Sequence, residues 1–303
     1  MFATALATGA CASACFVNDA MSTPYGESTL SADMLATEAD AGPDVAAARC
    51  APGAPFGREE IVYDHAGDTV FATRFSPDES EGFATVIGGD GRWRIGRLAP
   101  GAPPALDGVK LGTADDVGYP TISGDGRVMF FARYLPGADG ERRADIYVSR
   151  RRADGVFDGA SALPIATDAE ETTPYVTPAG DALYFSRFES GRYLVHRVAL
   201  PAVALTEVGA LDPASAPPGG ALNPVVTSDE LTLYFASPNA KGDLDIWVAT
   251  HAKKGERFVD ARMIAELRSA QNDTPSWISP DGCVLYFDRW TGTASKPMRA
   301  FRD

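Results

Sequence analysis

The chain has 303 residues, 45% of them apolar, and a net charge of −14, so it can build one large core or two ordinary ones and is a poor partner for a nucleic-acid backbone. It contains no apolar run long enough to span a membrane. Its four cysteines (Cys11, Cys15, Cys50, Cys283) form no CxxC pair, and with only three histidines the sequence supports neither a zinc cluster nor a His-dependent catalytic triad.

Residues 1 to 48 contain no Lys or Arg, and six acids against Arg49 leave this stretch at −5. Small and polar residues dominate it, too few apolar ones to bury a core, so residues 1–54 are expected to be a disordered acidic tail. Its opening, MFATALATGACASACF, resembles the end of a bacterial secretion signal, with Cys11 or Cys15 as lipid-acceptor candidates. The charged start of such a signal is missing, so an ordinary tail is the other reading.

After the tail comes an isolated strand pattern at Glu59–Asp64, and then a unit that recurs. Its copies are FATRFSPDESEGFA, YPTISGDGRVMFF, TPYVTPAGDALYF, NPVVTSDELTLYF and PSWISPDGCVLYF, anchored on Ser76, Ser123, Thr177, Thr227 and Ser279. The anchors lie 47, 54, 50 and 52 residues apart. Each anchor opens a tight turn between two apolar runs, which is the pattern of strand, turn, strand. Four copies place an aromatic pair at one offset: Phe130-Phe131, Tyr184-Phe185, Tyr234-Phe235 and Tyr286-Phe287; the first keeps Phe83. A third strand follows in the earlier units (RWRIGRLA, ADIYVSRR, RYLVHRVA, LDIWVATH), then a short fourth (GVKLG, SALPIA, LTEVGAL, DARMIAEL).

Four strands in about 50 residues, apolar on both faces of the middle strands, fit the blade of a β-propeller, because stacked blades bury both faces. The last unit ends near PMRAF without a fourth strand, and the isolated Glu59–Asp64 strand can supply it. Closure by both chain ends leaves no open edge. The expectation is an all-β propeller of five four-stranded blades over residues 55–303; six blades, the alternative, would need units near 41 residues.

TPSWISPDGCVLYF and DIWVA, with Pro55-Phe56-Gly57 ahead of the closing strand, resemble the repeats of TolB-like propellers, the periplasmic WD-type family. The resemblance covers about residues 55 to 303. It implies a fold, a periplasmic or cell-envelope setting, to which the signal-like opening adds a signal peptide or lipid anchor, and a role in binding a protein or ligand; it implies no reaction. TolB's N-terminal α/β domain has no counterpart in this sequence, so its partner contacts do not carry over.

Candidate site residues come from position. Asp68, Asp116, Glu171, Asn223 and Asp273 each precede an innermost strand, around one mouth of the central channel. Converging there, they would form an acidic funnel for Ca²⁺, a basic peptide tail or sugar hydroxyls; capping of the local loops is the competing role. No D-x-D-x-D-G loop supports calcium, so no cofactor is expected. Trp93, Trp247, Trp277 and Trp290 are sugar-platform candidates, with Trp290, placed in a loop, the best exposed. Asp145 and Asp245 recur at the start of third strands, and Asp125, Asp229 and Asp281 in the turns, which favours structural roles.

The expected function is therefore that of a monomeric, non-catalytic extracytoplasmic binder, taking a protein, a glycan or another small polar ligand at the channel mouth or the blade loops. The alternative is a glycoside hydrolase with carboxylates at the channel mouth. Cys50 and Cys283 can pair if the chain is exported to an oxidising compartment. The opposing consideration is that Cys283, on a doubly buried strand two strands from the closing edge, suits a free apolar cysteine.

Overall fold

The turns organise each unit. In four of them the anchor hydroxyl donates to a carboxylate two residues on: Ser76 to Asp78, Ser123 to Asp125, Thr227 to Asp229 and Ser279 to Asp281, at 2.5–2.6 Å. Thr177 uses Asp181 instead, at 2.8 Å. The same hydroxyl oxygen accepts an amide five residues on, that of Val128, Ala182, Thr232 or Val284 for example, so one side chain closes the whole turn. The turn acids are structural, as their recurrence indicated.

The computed structural model describes residues 50–303 except 52, 64–68, 99–104, 106–108, 112, 137–141, 202–209 and 293. The lipid-acceptor candidates Cys11 and Cys15, and Asp68 of the channel-mouth set, lie outside the described residues. The strands form five antiparallel blades. The closing strand is β1 (Phe56–Ile61). Blade 1 holds β2 (Thr69–Phe75), β3 (Gly82–Ile87) and β4 (Trp93–Leu98). A two-residue strand β5 (Val109–Lys110) follows. Blade 2 holds β6 (Asp116–Ile122), β7 (Val128–Pro136), β8 (Arg142–Arg150) and, beyond β9 (Phe157–Asp158), β10 (Ser161–Ala162). Blade 3 holds β11 (Glu171–Val176), β12 (Ala182–Glu189) and β13 (Arg192–Ala199). Blade 4 holds β14 (Leu222–Val226), β15 (Thr232–Pro238), β16 (Leu244–Thr250) and β17 (Val259–Met263). Blade 5 holds β18 (Asn272–Ile278), β19 (Val284–Thr291) and β20 (Ala294–Arg302). The inner strands β2, β6, β11, β14 and β18 touch in turn, and β18 returns to β2, which closes a ring of five.

Closure follows the expected route. β1 pairs with β20, Glu59 opposite Ala300 and Ile61 opposite Met298, and completes the last blade as its outer strand. The pairing covers Phe56–Ile61 rather than Glu59–Asp64, and ion pairs Glu60–Arg299 (2.8 Å) and Glu59–Arg289 (2.7 Å) reinforce it. One expected strand goes elsewhere: Val109–Lys110, within GVKLG, pairs in parallel with β9 in a separate two-stranded sheet instead of edging blade 1. The outward-facing groups of β4 are met at Arg97 by Ala105 and at the Trp93 amide by the Asp116 carboxylate, so the edge is met piecemeal.

A disulfide joins Cys50 to Cys283. The obstacle foreseen for it is removed by where Cys283 sits: β19 begins at Val284, so Cys283 is the last turn residue, at the end of the blade. The chain before β1 passes beneath that end. Arg302 holds it there, donating from Nε to the Gly282 carbonyl (3.0 Å) and from another guanidinium nitrogen to the Ala54 carbonyl.

Each inner strand carries a bulge midway along its pairing. Four bulges use a residue with positive φ: Ala72, Tyr119, Thr173 and Asn223. The residue directly after the aromatic pair of the preceding blade caps three of them. Asp288 accepts the Ala72 amide (2.7 Å), Thr85 that of Tyr119 (2.8 Å) and Ser186 that of Asn223 (3.2 Å). In blade 5 the equivalent residue is Pro275, which has no amide, and the matching position of blade 4 is Ala236. The blades are thus coupled edge to edge by backbone need as well as by packing.

Candidate functional site

The inner strands begin at one mouth of the ring, here the upper mouth, and end at the turn face. Arg74, on β2, points into the channel between them and is 1% exposed. Its Nε donates to the Ser276 carbonyl of blade 5 (3.0 Å) and another guanidinium nitrogen to the Pro174 carbonyl of blade 3. Burial lowers its pKa to about 10, against the favourable fields of Tyr175 and Asp288. A guanidinium bridging three blades plugs the channel. Below it, the ring of Phe75, Thr121, Tyr175 and Trp277 leaves a cavity of about 20 Å³, the space of one water. The upper mouth is therefore a closed cup.

Three of the sequence-predicted acids rim this cup, and each is paired with arginine. Glu171, fully buried, accepts from Arg187 Nε (2.8 Å) and from the Thr167 hydroxyl (2.5 Å). Asp273, also fully buried, accepts from Arg289 Nε (2.7 Å) and Ser269 (2.6 Å); burial still pushes its pKa up. Asp116 accepts from Arg92 Nε and the Trp93 amide (both 3.0 Å) and from Arg142 (2.5 Å). Asn223 is buried at the bulge of β14, its amide on Ser186. These residues are brought to one mouth, but the acids carry compensated charge.

A sequence signal for the arginines exists. The aromatic pair is followed two residues on by arginine in FFAR, YFSR and YFDR, giving Arg133, Arg187 and Arg289. Each meets a carboxylate at the start of its own blade's inner strand; Arg133 takes Asp115 at 2.6 Å. Blade 4 reads YFAS, with Ser237 there, and its inner strand carries the neutral Asn223. In blades 2 to 5 acid and arginine are present or absent together, whereas blade 1 has Val86 at the arginine position.

Trp290 is not in a loop. It lies in β19, half-buried, with its ring 5.1 Å from Phe71. On the other side of Phe71 stand Trp93 (5.1 Å, edge-on) and Tyr119 (5.4 Å), and Tyr134 packs edge-on against Trp93 at 5.1 Å. Phe71 is buried, whereas the other four are half-buried. An aromatic arc therefore runs along the mouth across blades 5, 1 and 2. Around it are hydroxyls: Tyr63 bonds Thr73 (2.7 Å), Tyr134 bonds Thr172 (3.1 Å), and Tyr193 donates to Glu170 (2.8 Å). Burial raises the pKa of Tyr63, Tyr134 and Glu170. Trp277 packs against Phe75 and Tyr286 at the turn end of the channel, and Trp247 stacks on Phe235 within blade 4.

Asp288 stands beside the arc and was not singled out by its sequence context. It shares a face of β19 with Trp290, is 1% exposed, and gives one oxygen to the Ala72 amide; the other has no partner. Burial pushes its pKa up to about 7 in spite of that bond and the nearby Arg74. Asp145, one of the two recurring acids, is pushed up to about 6 by burial and by its neighbour Glu171. Asp245 accepts from Asn239 (3.1 Å) in its own blade. Among the described residues no group of His, Cys, Asp and Glu is arranged to hold a metal ion, and no helix is long and apolar enough to cross a membrane.

No protein-family model matches the chain, and no curated protein does. Solved structures are similar in fold. TolB from Acinetobacter baumannii aligns with a TM-score of 0.51 at 12% identity, over 78% of this chain and 55% of that one. A putative TolB from Agrobacterium tumefaciens aligns with a TM-score of 0.49 at 16% identity, over 78% of this chain and 74% of that one. The chain thus spans about half the length of the Acinetobacter protein it resembles. At these identities the likeness is one of fold alone, that of a β-propeller.

Proposed function

We propose that this protein is a non-catalytic propeller of the cell envelope that binds a glycan in its upper mouth. The observation that carries the reading is the arc of Trp290, Trp93, Tyr119 and Tyr134 packed around Phe71. Half-buried rings held rigid by a buried one offer flat apolar faces to the C–H faces of a sugar, while hydroxyls and charged pairs at the rim serve its polar edge. In this reading Asp116, Glu171 and Asp273 act by positioning: Asp116 holds Arg92 and Arg142, each about half exposed, toward the mouth. Asn223 supports the cup through its backbone bond to Ser186. The envelope setting is supported by the disulfide, which persists in an oxidising compartment. A glycan array probed with the full chain and with Trp290→Ala tests it. Binding by the parent and loss in the variant are expected; a parent that binds no glycan sinks the reading.

The hydrolase alternative has one observation in its favour, the Asp288 carboxyl with a pKa of about 7 beside the aromatic arc. Turnover of a glycan by the parent, abolished in Asp288→Asn with the fold intact, would replace the binding reading with catalysis.

A further inference from the structure

A second cleft, of about 310 Å³, opens at the rim of the turn face, between the outer strands of blade 4 and the segment that leads into β1. Its walls include Phe56 and Ile264, and its polar groups are Tyr234, Arg262 and Arg302, with Glu266 at the edge. The charge balance here differs from that of the upper mouth. Arg302 spends its donors on neutral oxygens, those of Gly282, Ala54 and the Tyr234 hydroxyl (2.5 Å), and lies over the Phe56 ring at 4.2 Å. Arg262, exposed on β17, makes no ion pair among the described residues. Two guanidinium charges without a bound carboxylate therefore line one cleft, in a protein whose net charge is −14.

Tyr234 sits between them and is 1% exposed. Its oxygen accepts from Arg302, which leaves its O–H free to donate. Burial raises the pKa of this hydroxyl against the pull of Arg302 and Arg262, so it keeps its proton at neutral pH. The site thus holds a fixed O–H donor, an exposed guanidinium, a second positive charge from Arg302, and an apolar wall.

We propose that this cleft binds a small organic oxyanion, a carboxylate or a phosphate monoester, with Arg262 and the Tyr234 hydroxyl on the headgroup and Phe56 and Ile264 against the apolar body. The geometry suits a planar or tetrahedral anion because charge-assisted hydrogen bonds from arginine are the strong ones, and here they are not already satisfied by a protein carboxylate. The site is independent of the upper mouth, so glycan binding and anion binding stand or fall separately.

Titration calorimetry of the full, oxidised chain with phenyl phosphate, benzoate and neutral benzyl alcohol tests it. Saturable binding of phenyl phosphate or benzoate is expected, weakening as salt is raised, with benzyl alcohol inert; the headgroup that binds identifies the class of anion. Arg262→Ala, which removes an exposed side chain and should leave the fold unchanged, is expected to weaken binding about tenfold or more. Tyr234→Phe should weaken it as well, and Arg262→Lys should retain part of the affinity. Absence of saturable binding by either anion, binding of benzyl alcohol as tight as that of the anions, or an unchanged affinity in Arg262→Ala would each overturn the proposal.

Discussion

The Asp288 carboxylate of blade 5 accepts the Ala72 amide of blade 1 at 2.7 Å, across the seam where the two ends of the chain close the ring. Along the same seam, Tyr286 packs on Phe75 (4.9 Å) and Trp290 on Phe71 (5.1 Å). The seam is thus a column of three contacts from alternate residues of one strand, aromatic above and below and polar between. The polar rung sits where a positive-φ residue presents an amide that must be met.

That rung makes the fold sensitive to pH. In the unfolded chain the Asp288 carboxyl titrates near ~3.9. In the folded protein burial raises its pKa to about 7, so the folded state holds the proton more tightly. Stability therefore rises as pH falls from above 7 toward 4 and is lost as pH climbs through 7. The expected gain from pH 8 to pH 5 is about 2–3 kcal/mol from this group. Asp145, raised to about 6, adds in the same sense. Denaturation of the parent and of Asp288→Asn across this range isolates the term: the difference between the two should vary with pH, and a constant difference would exclude it.

The disulfide should be worth more than most single contacts, since it closes a loop with a sequence separation of 233. Cys50→Ser or Cys283→Ser is expected to cost about 5 kcal/mol in the chain-entropy model, and reduction of the parent should reproduce that loss. Denaturant titrations with and without reductant measure it. Full labelling of both thiols in unreduced, denatured protein would show that no bond joins them.

Arg187 and Glu171 form the most deeply buried of the blade clamps, with side chains 6% and 0% exposed. Arg187→Ala leaves a carboxylate buried without its cation and is expected to destabilise by about 3–5 kcal/mol. Glu171→Gln in that background should restore part of the loss. Equal stability of the single and double variants would show that the charge left behind is not the cause.

Phe71 and Trp290 separate stability from binding. Phe71→Ala empties a buried site and should cost about 3–5 kcal/mol. Trp290→Ala removes a half-buried ring, costs less, and should carry most of the loss in glycan affinity. Thermal melts and binding measured on the same samples distinguish them; a Trp290→Ala protein that binds like its parent would remove the platform from the site.

Truncation checks the closure. A chain beginning at residue 50 retains β1 and the disulfide and should melt like the full chain. One beginning at residue 63 loses both, with the Glu59–Arg289 and Glu60–Arg299 pairs, and should melt at a markedly lower temperature. Similar melting of the two would count against closure by β1.

What the sequence by itself determined is the part of this protein that repeats. The turn is built from residues within five of one another, Ser279, Asp281 and Val284 in the last unit, so its chemistry is local and recurs visibly. The anchor spacing sets the blade size and hence the number of blades, and the missing outer strand of the last unit points to β1. What only the tertiary structure decided lies between units. Val109–Lys110 left blade 1 because a partner in β9 was available, and no local pattern records that choice. Asp116, Glu171 and Asp273 looked like free acids because their arginines lie 16 to 26 residues away in the chain, although for Glu171 and Asp273 the arginine two residues past the aromatic pair was there to be read. Asp288 and Ala72 stand 216 residues apart, and Arg74 meets carbonyls 100 and 202 residues away. Closing the ring brings these groups together and removes their water. Burial then raises the Asp288 pKa, compels Arg74 to find carbonyl partners, and leaves the aromatic arc as the accessible face of a plugged channel. Strand and turn are short-range consequences of residue type, whereas charge state and accessibility depend on which distant surfaces exclude the solvent.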